Sequence, residues 1–200
     1  MFDEPFRARF SRLARPLVEG LARRAVSANQ ITLAAFMLGL GAAALIASGR
    51  TFAGLVVWLI SRVGDGLDGA LARETGSSSP FGGYLDITLD MAAYAAMVVG
   101  FAVLYPEVGG GWAAVLAGYV VVITTTLALS DAAGVLGRSV SGTDRTFQFT
   151  PGFAEAGETN VMYTAWVLFP QQIWWLVWVW VLVLVATSVQ RTWLAARALR

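Results

Sequence analysis

The 200-residue sequence predicts an all-α integral membrane protein, a bundle of about six transmembrane helices preceded by an N-terminal interfacial amphipathic helix. Three observations predict it. Hydrophobic residues make up 57% of the chain and the mean hydropathy is +0.65. Charged residues make up only 14%, where a soluble domain carries about a quarter. The apolar residues also come in long blocks rather than in helical stripes, and arginines gather between alternate blocks.

A hydrocarbon core about 30 Å thick is crossed by roughly 20 apolar residues in a helix. Six segments approach that length: Ile31 to Ser48, Phe52 to Arg73, Gly83 to Tyr105, Trp112 to Asp131, Glu155 to Phe169 and Ile173 to Gln190. The fifth is the shortest and contains polar residues. Ahead of them, Phe6, Phe10, Leu13 and Leu17 fall at helical spacing among arginines. That pattern suits a helix lying on an anionic leaflet, with Pro16 kinking or dividing it, and a solvated basic tail is the alternative. No internal repeat or linker stands out. Residues 1–200 therefore read as one membrane domain, with 1–28 as the cytoplasmic interfacial helix and 31–190 as the six-helix bundle.

All 14 basic residues are arginine. Arg7, Arg9, Arg12, Arg15, Arg23 and Arg24 precede the first span, Arg138 and Arg145 lie between the fourth and fifth, and Arg191, Arg197 and Arg200 follow the sixth. With six spans these flanks share one side, which the positive-inside rule makes cytoplasmic, together with both termini. The opposite loops carry only Arg50, and Trp174, Trp175 and Trp178 gather near that outer interface as an aromatic belt. Gly39, Ala43 and Ala47 form a small-xxx-small ridge that allows close helix approach, within the monomer or between monomers.

There is no cysteine and no histidine, so thiolate and imidazole chemistry is excluded. What remains for catalysis is carboxylates, arginine, hydroxyls and oxygen-held metal ions. Those residues concentrate in one place. Asp65 and Asp68 fall toward the cytoplasmic end of the second span, and Asp86 and Asp90 open the third, across the turn-like "ETGSSSP". Asp65, Gly69 and Ala72 share a helix face, as do Gly82, Asp86 and Asp90. Four neighbouring carboxylates need counter-charge, and hard oxygen ligands suit magnesium, manganese or calcium. Two such ions clamping a phosphate would serve displacement at phosphorus. Ion translocation, or a structural role in Asp–Arg pairs, remains open on the same residues.

The spacing Asp65-x-x-Asp68-Gly69-x-x-Ala72-Arg73, eight residues, then Gly82-x-x-x-Asp86-x-x-x-Asp90 resembles the signature of the CDP-alcohol phosphotransferase (CDP-alcohol phosphatidyltransferase) family at every specified position. A chance match to eight fixed positions is on the order of 10⁻¹⁰ per starting point. The segment Ser27-Ala28-Asn29-Gln30-Ile31-Thr32 is similar to one that opens the family's first helix. From about Trp112 onward the resemblance rests on helix count and hydrophobicity.

The resemblance implies an enzyme of phospholipid biosynthesis. It would transfer a phosphatidyl group from CDP-diacylglycerol to the hydroxyl of a polar alcohol and release CMP. Asp65, Asp68, Asp86 and Asp90 would ligate two divalent cations, Mg²⁺ or Mn²⁺, and Asp90 would be the general base. Gly69, Ala72, Arg73 and Gly82 would contact the CDP moiety, with Asn29 and Thr32 beside the nucleotide. It also implies a homodimer in a bacterial inner membrane, with no nucleic-acid partner. Family members that use glycerol 3-phosphate typically have Lys after the last motif Asp, and those that use inositol phosphate have Arg. Met91 stands here and leaves the acceptor open. Candidate acceptor ligands are Arg62, Arg138 and Arg145 for a phosphorylated alcohol, and Glu155 and Glu158 for a cationic or polyol headgroup. Arg138 and Arg145 would otherwise anchor a loop to headgroups. A cation transporter using the acidic cluster and a silent scaffold are the competing functions.

Overall fold

A computed structural model describes residues 14–135 and 154–199, and every regular element among them is helical. A helix over 14–23 (α1) is followed by α2 (Ala28–Ala47), α3 (Thr51–Glu74), α4 (Pro80–Leu104), α5 (Gly110–Val135), α6 (Ala156–Leu168) and α7 (Ile173–Ala198). Each expected segment overlaps one of α2 to α7, with α5 and α7 running four and eight residues past their expected ends. By length and composition, four stretches suffice to cross a membrane: Ala28–Ala47, Pro80–Leu104, Gly110–Ala132 and Pro170–Arg197. α3 has the length but carries Arg62, Asp65, Asp68 and Arg73, and α6 has 13 residues. Phe6, Phe10, Leu13, Arg138 and Arg145 lie outside the described residues.

The chain divides into two compact units, Met1–Leu104 and Tyr105–Arg200. In the first, α2 packs against both α3 and α4, and its small residues explain how. A Cβ on Gly39 would lie 3.1 Å from Ala93 Cβ, and one on Gly100 would lie 2.6 Å from the Ala43 carbonyl oxygen. Residues 39 and 43 of the small-residue ridge are thus consumed inside this unit. Ser61 of α3 donates a hydrogen bond to the Ala35 carbonyl of α2 at 2.8 Å, closing the same seam. Ala14 and Val18 of α1 are buried against Leu67 and Leu71 of α3, whereas Leu17 is 53% exposed. Pro16 lies within the helix described over 14–23.

Local chemistry sets the helix ends that matter. Ser27 and Gln30 form a reciprocal capping box at the start of α2. Gly76 has a φ of +62° just past the end of α3, and the Ser77 amide reaches back to the Ala72 carbonyl at 2.9 Å. That left-handed turn favours glycine and satisfies a terminal carbonyl. Ser79 then accepts from the Gly82 amide at 3.0 Å, and Pro80 opens α4 without needing a donor.

In the second unit α7 packs along α5, close enough that a Cβ on Gly118 would lie 2.8 Å from Leu184 Cδ1. Tyr119 and Tyr163 hydroxyls lie 3.0 Å apart, and the Trp180 indole donates to Tyr119 at 3.1 Å. α7 continues past the expected end at Gln190. Arg191 is consequently not a flanking charge: it is 5% exposed and donates to the Val122 carbonyl and to Thr126. Trp174, Trp175 and Trp178 are all exposed, as an interfacial belt requires.

Candidate active site

The acidic motif is folded into one place by the α3–α4 turn. Asp65, Asp68 and Asp86 each present a carboxylate oxygen, and these oxygens lie within 4.8 Å of one another. Oxygen ligands sit about 2.0–2.6 Å from magnesium or calcium-type ions, so opposed ligands on one ion are about 4–5 Å apart. The all-oxygen donor set and its spread therefore fit a hard divalent cation. Asp68 is buried, Asp65 half-buried and Asp86 exposed, so the cluster is backed by protein and open on the α4 side.

Asp68 is held from both ends. The Thr32 hydroxyl of α2 donates to Oδ2 at 2.5 Å, and the Gly69 amide donates to Oδ1 at 2.5 Å. Thr32, expected beside the nucleotide, is 6% exposed and its hydroxyl bonds this carboxylate. Such outer partners fix a ligand's orientation before an ion arrives. Asp90 is bound differently. The Arg62 guanidinium forms an ion pair with it, lies 3.9 Å from Asp65, and takes Ser61 Oγ as an acceptor at 3.0 Å. The guanidinium carbon sits 4.4 Å from the Trp58 ring centroid and 5.2 Å from that of Tyr94. Arg62, expected as an acceptor ligand, stands beside the motif carboxylates Asp65 and Asp90.

The motif glycines make room for neighbours. A Cβ on Gly69 would lie 3.4 Å from Arg73 Nη1, so its absence lets the exposed Arg73 fold back along α3. A Cβ on Gly82 would lie 3.2 Å from Ser79 Oγ and 3.4 Å from Asn29 Oδ1. Asn29, Gly82 and Ser79 are therefore brought together at the exposed mouth of α2 and α4, and Ala72 is half-buried on α3. Glu155 and Glu158, expected as acceptor ligands, stand at the start of α6. Glu155 caps α6, and its own amide donates to Glu158 Oε2 at 3.2 Å, a reciprocal box that satisfies two N-terminal donors.

Sequence reasoning missed Ser61, Trp58 and Tyr94 as the cradle of Arg62. The visible signal was helical spacing alone, since Trp58 precedes Arg62 by four residues and Arg62 precedes Asp65 by three.

The helices and the site together define a membrane enzyme class in which motif carboxylates gather a hard divalent cation at the end of apolar helices. The chain belongs to the CDP-alcohol phosphatidyltransferase family, whose profile matches residues 25–186, and it is a transferase of substituted phosphate groups. It is 33% identical to the inner membrane protein YnjF of Escherichia coli over 174 residues, covering 85% of this chain and 83% of that protein. It is 37% identical to phosphatidylinositol phosphate synthase of Streptomyces avermitilis over 118 residues, covering 56% of this chain and 45% of that one. Its fold is similar to that of Mycobacterium tuberculosis phosphatidylinositol phosphate synthase crystallised with manganese and citrate. There the TM-score is 0.74 at 23% identity, over 90% of this chain and 87% of that one. A crystal structure of the same protein with CDP-DAG bound matches with a TM-score of 0.67 at 24% identity, over 92% and 94%. The family uses divalent cations.

Proposed function

We propose that the chain transfers the phosphatidyl group of CDP-diacylglycerol to the hydroxyl of a polar alcohol, releasing CMP. One observation carries the reading: three motif carboxylates from α3 and α4 meet within 4.8 Å, where a diphosphate-bound cation would need them. Asp65, Asp68 and Asp86 would hold two divalent ions, with Asp90 contributing to the same site. A cation bound there supplies neutralising charge to the diphosphate and to the departing oxygen.

This chain's own residues do the rest. Gly69, Ala72, Gly82 and Asn29 leave a low wall against which the CDP moiety lies, and Arg73 reaches its phosphates. Asp90 accepts the hydroxyl proton as the alcohol oxygen bonds to the lipid-bearing phosphorus. The bond from that phosphorus to the CMP oxygen breaks, and CMP leaves with the electron pair. All of the chain serves as one domain, with six spans, α1 on the cytoplasmic leaflet and both termini cytoplasmic. The arginine distribution supports that orientation. Two copies form the working homodimer in a bacterial inner membrane.

Purified protein in detergent, supplied with CDP-diacylglycerol and Mg²⁺, is challenged with glycerol 3-phosphate, inositol, inositol 1-phosphate, serine, ethanolamine and choline. The names of the phosphatidylinositol phosphate synthase relatives make inositol 1-phosphate the first acceptor to test. The expected result is CMP release with one alcohol, matched by a new phospholipid in the mass spectrum. CDP-diacylglycerol that neither binds nor turns over contradicts the reading.

A further inference from the structure

Asp90 receives no cation from its own helix, because α4 contains no basic residue and Met91 follows the carboxylate. The cation comes from α3. Arg62 Nη1 bonds Asp90 Oδ1 and lies 3.9 Å from Asp65 Oδ1, so one guanidinium touches the outer carboxylate and borders the metal cluster. Its side chain is only 9% exposed. Ser61 holds Nη2 at 3.0 Å while donating its own proton to the Ala35 carbonyl, which ties the group to α2. The guanidinium carbon lies over both the Trp58 and the Tyr94 ring, 4.4 Å and 5.2 Å from their centroids, and those rings meet edge-on at 5.2 Å between centroids. A guanidinium held by two aromatic contacts, an ion pair and a hydroxyl has lost most of its rotamer freedom before any substrate arrives.

We propose that Arg62 is a positioning residue for Asp90. It fixes the Asp90 carboxylate at the rim of the cluster and keeps that group available to the acceptor hydroxyl instead of closing onto the cations. This rests on the transferase reading above. The competing assignment is that Arg62 binds the alcohol directly, since its Nε has no partner among the described residues.

The two assignments separate in kinetics and in metal binding. Arg62→Gln and Arg62→Lys are purified, checked for folding by size exclusion, and assayed for kcat and for KM of both substrates. Mn²⁺ affinity is measured by electron paramagnetic resonance without substrate. In Arg62→Gln, kcat is expected to fall about 100-fold, as for a displaced reacting group, with both KM values within about threefold of wild type. Loss of a positive charge beside Asp65, and release of Asp90 toward the ions, tighten Mn²⁺ binding by about tenfold. A purely structural contact would weaken it. Arg62→Lys keeps the charge without the planar guanidinium fork and recovers kcat to within about tenfold of wild type. A rise in the alcohol KM with kcat kept, or Mn²⁺ affinity unchanged or weakened in Arg62→Gln, overturns the proposal. If Arg62→Gln does not fold, Arg62→Lys decides by the same split between kcat and KM. A wild-type protein that neither binds CDP-diacylglycerol nor releases CMP fails the transferase reading, and the Mn²⁺ measurement still decides the role of Arg62.

Discussion

The two units of the chain bury polar groups in opposite ways. In the first, small residues bring three helices close, and the polar groups between them are ionic: three converging carboxylates, a fourth paired to Arg62, and Thr32 bracing Asp68. In the second, the polar groups are mostly neutral and aromatic. Tyr119, Tyr163 and Trp180 satisfy one another, and Trp112 meets Trp166 edge-on at 5.2 Å. Its buried cation, Arg191, faces a carbonyl and a hydroxyl. A like-charged carboxylate cluster is costly unless cations compensate it, whereas a neutral hydrogen-bonded aromatic network stabilises the fold on its own. The first unit is organised around something it binds, and the second around itself.

That contrast is open to attack at three points, taken from the largest effect downward. Gly100→Val puts a side chain where the Ala43 carbonyl oxygen stands 2.6 Å from the Cβ position. Overpacking at backbone cannot be relieved by a rotamer change, so a loss of about 3 kcal/mol is expected, read as a lower melting temperature in detergent. Survival at wild-type stability would mean that α2 and α4 are not in close contact. Thr32→Val keeps the shape but removes the donor to Asp68. The Mg²⁺ concentration for half-maximal activity should rise about 10–100-fold, the usual cost of an outer partner, with little change in melting temperature. An unchanged Mg²⁺ requirement would remove Thr32 from the metal site. Glu155→Ala loses the α6 cap and should cost about 1 kcal/mol of stability with the alcohol KM unaltered. An alcohol KM raised tenfold would instead return Glu155 to acceptor binding and blur the division between the units.

Much of this architecture was readable in the sequence, and the parts that were not share a cause. Apolar block length placed α2 to α6 within a few residues and the start of α7 at Ile173, and the i, i+3 and i+4 offsets of Asp65, Asp68, Asp86 and Asp90 put them on two helix faces. Partners far apart in the chain were hidden. Thr32 meets Asp68 across 36 residues and Arg62 meets Asp90 across 28, pairings that no local period encodes. Glu155 and Glu158 carry a second reading: an acid followed three residues later by another, ahead of an apolar run, is also a helix-start pattern, and the two side chains stand at the start of α6. Arg191 looked like a flanking charge because α7 had been ended at Gln190, where hydropathy falls although the helix continues.

The most direct test of a cation-binding first unit is Mn²⁺ binding to the purified protein by electron paramagnetic resonance, with Asp86→Asn and Glu155→Ala measured alongside wild type. Saturable binding that Asp86→Asn abolishes and Glu155→Ala leaves intact is the expected result. Binding that survives Asp86→Asn would place the metal elsewhere and contradict the account.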